Sequence, residues 1–65
     1  MEDIDILEEL IGLDKQSAFD LCETNGYDFR ITREDSVVYI CTQDLNFNRI
    51  NLRIDNGKVT GCNIG

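Results

Sequence analysis

Histidine is absent from this chain, which removes the commonest general base and the commonest metal ligand from its chemistry. No paired carboxylates mark a defined site, and the one nucleophile open to proposal, Cys41, has no base in view. The expectation is a non-enzyme with no cofactor and no bound metal. Proline is missing too, and no repeat, low-complexity run or second domain interrupts the sequence. No apolar stretch approaches the length of a membrane span. The opening Met1-Glu2-Asp3-Ile4-Asp5 is acidic where a signal peptide needs a basic start and an apolar run. Three cysteines, Cys22, Cys41 and Cys62, cannot all pair within one chain, so a disulfide framework is not expected. These absences together predict a cytoplasmic protein whose reduced thiols serve mainly as small core hydrophobes.

What remains is a chain of 65 residues with net charge −7. A single domain, residues 1–65, fits that length. It buries only about 60% of the surface its unfolded form exposes, which leaves little volume for an enclosed pocket. Charge is placed unevenly. Glu2, Asp3, Asp5, Glu8, Glu9, Asp14, Asp20 and Glu23 face a single base, Lys15, in the first third, whereas acids and bases balance over residues 24–65. A negative field repels phosphates, so DNA and RNA are not expected partners. An acidic amphipathic segment over residues 1–11 reads either as a solvated face or as a docking surface for a basic protein.

Ile4, Leu7, Leu10 and Ile11 recur at helical spacing and predict a short helix or turn ending near Gly12. Asp14 is a candidate N-cap for a main helix from Lys15 to about Thr24, stopped by Asn25-Gly26, with Ala18, Leu21 and Cys22 as its buried stripe. Phe19 falls off that stripe, at its margin. It is either a staple onto the N-terminal segment or, with Glu8 and Glu9, part of a partner surface. Tyr27, Phe29 and Ile31 alternate with polar residues as a half-buried strand, Glu34-Asp35-Ser36 is a turn, and Val37–Cys41 begins as a strand. Ile50, Leu52 and Ile54 alternate with Asn51, Arg53 and Asp55. Asn56-Gly57 then supplies a type I′ hairpin into a last strand over Val59–Ile64. One main helix packed on a small mixed sheet of 3–4 strands follows: an α+β fold with one covered sheet face.

Between two of these strands lies a polar, asparagine-rich loop, Thr42-Gln43-Asp44-Leu45-Asn46-Phe47-Asn48. Ordering such a segment costs about 1–2 kcal/mol per residue, and long loops of this kind are usually disordered or functional. Strong strands on both sides favour a presented binding loop.

The ordered set Leu10-Ile11-Gly12, the Asp14-capped helix with Ala18, Thr42-Gln43-Asp44, Asn48–Leu52, Ile54-Asp55, Gly57-Lys58-Val59 and Ile64-Gly65 resembles the potato inhibitor I family. The turn at Glu34-Asp35-Ser36 and the short last hairpin are closer to its bacterial serine peptidase inhibitor relatives. The resemblance spans roughly residues 9–65 and aligns through the loop without gaps. It implies an inhibitor whose extended loop, residues 42–47, enters a serine protease cleft like a substrate. Gln43 would be the primary residue, Gln43–Asp44 the scissile bond, and Thr42 and Asp44 the flanking anchors. Arg49 would brace the loop from the following strand, with Asn51 at the second bracing position, where the family carries another arginine.

A second reading keeps the scaffold and changes the target. A small acidic chain of this kind would serve as an intracellular antagonist, carried by a phage or mobile element, that binds another host protein or sequesters a small anionic ligand such as a nucleotide signal. Arg30, Arg33 and Tyr39, with Arg49 and Phe47, are the candidate ligand contacts, in a monomer or a small homo-oligomer whose subunits share the pocket.

Overall fold

Asp14 starts the second helix as its position suggests. Its carboxylate accepts from the Ser17 backbone N–H (3.3 Å) and the Ser17 hydroxyl (2.8 Å), satisfying one of the orphan donors of a helix N-terminus. The Ser17 hydroxyl is also the leading reason its acidity is strengthened below the ordinary aspartate value. The computed structural model describes residues 4–41 and 44–65. Within them run α1 (Ile4–Leu10), α2 (Lys15–Thr24), β1 (Asp28–Glu34), β2 (Val37–Val38), β3 (Arg49–Asp55) and β4 (Lys58–Ile64). The fold is α+β, but two short helices share the covering layer where one dominant helix was expected.

α2 ends in a Schellman motif. The Tyr27 N–H donates to the Cys22 carbonyl (2.9 Å) and the Gly26 N–H to that of Glu23 (3.0 Å), a geometry that needs the left-handed φ of +80° found at Gly26. The short link between the helices is stitched to β4: Gly12 donates to the Val59 carbonyl and Val59 to that of Leu13, both at 2.8 Å.

The sheet order is β2-β1-β3-β4. β1 and β3 are parallel, and the outer pairs are antiparallel. Asn56 (φ 54°) and Gly57 (φ 77°) make the β3–β4 turn with both central residues left-handed, the type I′ signature. No such turn can join β1 to β3, because parallel neighbours require a crossover. Here β2 and the irregular backbone after it, rather than a helix, make that crossover. The chain must travel back the length of β1 before β3 can begin.

Alternation assigns the two faces. Ile50, Leu52 and Ile54 of β3 are fully buried with Leu10, Ala18 and Cys22, and Val59 and Ile6 complete the core. Phe29 and Ile31 of β1, opposite Ile50 and Leu52, pack against its margin, as does Leu21. Ile6 and Leu10 are the buried residues described on α1, and Leu7 packs partly buried against the same core. Ile11 falls in the turn beyond the helix and is exposed. Cys22 and Cys62 behave as core thiols: burial pushes both above the ordinary cysteine range.

The Val37–Cys41 strand is shorter than its composition suggests. Only Val37–Val38 pair, and after the bond from the Tyr39 N–H to the Thr32 carbonyl (3.0 Å) the chain leaves the sheet. That departure coincides with a register shift in β1 between Ile31 and Arg33. Bulges bend and twist a strand, so the partner edge turns away where β2 would need it.

The face of the sheet opposite the helices is left open by the described residues. Arg30 and Arg33 of β1 and Arg49 and Arg53 of β3, all the arginines of the chain, lie on it. The exposed Glu8, Glu9, Asp14, Asp20 and Glu23 sit on the helical side.

Candidate functional site

The crossover re-enters the sheet at the end formed by the start of β1, the start of β3 and the close of β4. Asparagines shape its last residues. The Asn46 side chain accepts from the Asn48 N–H (2.9 Å), and the Asn46 carbonyl accepts from the Arg49 N–H (3.1 Å), giving a turn at Phe47-Asn48. Asn48 then ties the turn to β1, its side chain donating to the Gly26 carbonyl (3.1 Å) and its own carbonyl accepting from the Asp28 N–H (2.8 Å). Asparagine suits such work, because its side chain bonds local backbone in place of a regular ladder.

Arg49 is the brace. Its Nη2 donates to the Asp44 carbonyl (3.0 Å) and stands 3.6 Å from the Asp44 carboxylate, while its Nε donates to the Gly65 carbonyl (3.1 Å). The guanidinium side chain is only 14% exposed, so these bonds are partly shielded from water. Asn51 does something different from its expected role. Its Nδ2 donates to the same Gly65 carbonyl (3.0 Å) and its Oδ1 accepts from Arg30 Nε (2.6 Å). A continuous relay therefore runs from Arg30 through Asn51 and Gly65 to Arg49 and on to Asp44. Asn51, buried on the open face of the sheet, keeps its amide satisfied through it. Asn48 and the Gly65 carbonyl escaped sequence reasoning as site groups. The Asn-x-Asn spacing was the available signal for Asn48.

Thr42 and Gln43, the proposed anchor and primary residue, lie outside the described residues. Of the rest of the loop, Leu45 and Phe47 point outward, 75% and 78% exposed. Cys41 is half-buried.

The other candidates divide into separate places. Phe19 stacks on Phe29 of β1, with ring centroids 4.7 Å apart and planes 14° from parallel. Together with Arg30, Ile31 and Tyr39 these rings line a groove of about 340 Å³. Glu9 lines a different groove of about 470 Å³ with Leu13, Ser17, Asp20, Leu21 and Thr24. Glu8 lies exposed on α1. Arg30 and Tyr39 meet in the first groove. Arg33 does not join them: it forms a two-pronged pair with Asp55 at 2.8 and 2.9 Å. Arg33, then the Thr60 hydroxyl, holds Asp55 down to about 2. Asp55 in turn raises Arg33 above its ordinary value.

Among the described residues no three His, Cys, Asp or Glu side chains gather as a metal site, and no helix is long and apolar enough to cross a membrane. Compared with family models, curated proteins and solved structures, the chain matches none.

Proposed function

We propose that this protein is a small inhibitor of potato inhibitor I type that presents residues 42–47 to a serine protease. The observation that carries the reading is the Arg49 guanidinium, which links Asp44, just after the proposed Gln43–Asp44 scissile bond, to the Gly65 carbonyl at the close of β4. A substrate-like segment becomes an inhibitor when its bound shape is held beforehand, because ordering on binding is then avoided. Charge-assisted hydrogen bonds, each worth about 1.5–3 kcal/mol, are the stronger class for that purpose. The Asn46 turn and the Asn48 tether hold the same end of the loop from the other side.

Incubation with a panel of serine proteases tests the proposal. The expected result is reversible inhibition of at least one enzyme, with Gln43–Asp44 still largely intact when the complex is dissociated and examined by mass spectrometry. No inhibition of any member, together with rapid cleavage at that bond, would sink it.

One observation favours a second reading. Arg30 and Tyr39 share a groove with two stacked phenylalanines, a combination of cation and aromatic walls suited to a planar anion. In this reading the scaffold sequesters a small ligand and inhibits no protease. Calorimetric titration with nucleotides discriminates the two: heat that disappears in Tyr39→Ala and Arg30→Gln, with no protease inhibited by the parent chain, would replace the first reading with the second.

A further inference from the structure

Val37-Val38-Tyr39-Ile40-Cys41 carries no charge, and none follows until Asp44, in a chain that is 29% charged. That gap falls on the terminal strand of the sheet, β2. Natural sheets blunt such edges by keeping the strand short, by bulges, or with lysine, proline or an inward-pointing charge. β2 is short, but no lysine, proline or charge lies in the run.

Register assigns the side each residue faces. Val37 is opposite Glu34, whose carboxylate reaches Lys15 of α2 at 2.9 Å, so Val37 and Tyr39 lie on the helix side. Val38 is opposite Arg33 and lies on the open side, where alternation would also put Ile40 if the strand continued. The strand is therefore apolar on both faces, the pattern of a strand buried on both. Yet Val37 is 54%, Val38 72%, Tyr39 45% and Ile40 103% exposed. Tyr39 and Ile40 have strand-forming side chains and no strand to belong to. The groove lined by Phe19, Phe29 and Tyr39 adjoins the same edge.

We infer that the β2 edge is a homodimer interface, in which two copies pair β2 with β2 antiparallel about a twofold axis. The pairing extends the strand through Ile40 and joins two four-stranded sheets into one of eight. A second copy is the occupant the edge fits. A strand paired antiparallel with itself is self-complementary, which closes the assembly at two. Two molecules of net charge −7 also meet there where neither carries charge. A charged partner would find no counter-charge on this run. The four residues expose at most on the order of 500 Å² per copy, less than the roughly 800 Å² per partner of a standard interface and in the range of a weak, transient dimer. Residues 44–47 lie beyond the paired segment, so this inference and the inhibitor reading stand or fall separately.

Sedimentation equilibrium of the full chain from about 1 to 100 µM tests it, in a range where weak dimers of this size associate. The expected result is twice the 7.4 kDa chain mass at the upper end, a denaturation midpoint that rises with protein concentration, and loss of both in Val38→Lys/Ile40→Lys. Those positions are exposed in the single chain, so the variant's far-UV circular dichroism should match the parent's. A parent of single-chain mass at 100 µM, a lysine variant that still dimerises, or assembly beyond two subunits would overturn the inference.

Discussion

Two connections lead to and from β3, and they solve opposite problems. The turn after it needs only Asn56 and Gly57, because antiparallel neighbours start where the previous strand stops. The crossover before it must reverse the whole length of β1, since β1 and β3 run parallel. The turn is shaped by its own backbone geometry and takes one bond from outside, from the Asn56 N–H to the Asp35 carboxylate (2.9 Å). The crossover needs more: its own Asn46 side chain closes its last turn, its Asn48 side chain ties it to Gly26, and Arg49 at the start of β3 joins Asp44 to Gly65. A two-residue turn has nothing to display, whereas a long connection fixed by side chains can display residues whose backbone has no ladder to satisfy.

The strand both connections share should matter most. Leu52→Ala, at a fully buried site, should cost about 2–5 kcal/mol in urea unfolding, loosening turn and crossover alike. Arg49→Ala comes next. Losing a charge-assisted bond should cost about 1.5–3 kcal/mol, and limited proteolysis should cut residues 42–47 several-fold faster while the β3–β4 turn stays resistant. Equal protection of the loop in parent and variant would refute the bracing argument.

Gly57→Val forces a branched side chain into a φ of 77° and should lower stability by about 1–2 kcal/mol. Its effect on the crossover should be nil, read as unchanged loop proteolysis relative to global stability. Two glycines inserted between Leu45 and Asn46 should reverse that pattern. Loop lengthening costs less than about 0.6 kcal/mol, the figure for a full doubling, yet protease binding should be lost.

The smallest effect concerns Asp55, at the end of β3. Its folded pKa of about 2 lies below the ordinary 3.8. Its contribution to stability is therefore complete above about pH 4 and is lost as pH falls toward 2. Asp55→Asn should flatten the stability profile across that window only. A parallel acid limb in parent and variant would show that the Arg33 pair is immaterial.

The contrast between the connections also explains what could be read in advance. Asp14, Asn25-Gly26 and Asn56-Gly57 announce themselves because caps and tight turns are written in adjacent residues. The alternation of Ile50, Leu52 and Ile54 identified the buried face for the same reason. The parallel placement of β1 beside β3 is a long-range choice that no local pattern records. With it went the reason for the loop's length and the meeting of all four arginines on one face. Val37–Cys41 was over-read as a strand because propensity reports what side chains favour, not whether a partner edge is within reach. At the candidate site the resemblance pointed to Arg49, and a bond from Arg49 to Asp44 is present. The redirection of Asn51 toward Gly65 and Arg30 was not legible, because it depends on β4 closing beside β3.

The arginines on the open sheet face and the acids on the helices have a kinetic consequence. Helix and sheet layers lie about 10 Å apart, close to a Debye length at physiological salt, so a nearby molecule senses each side almost separately. The protein is then an anion whose charge is concentrated on its helical side, since Asp55 and Asp44 offset Arg33 and Arg49 on the sheet face. It will rotate as it nears a basic target, turning its helices toward it. The rate of encounter, more than its strength, should fall as salt is added.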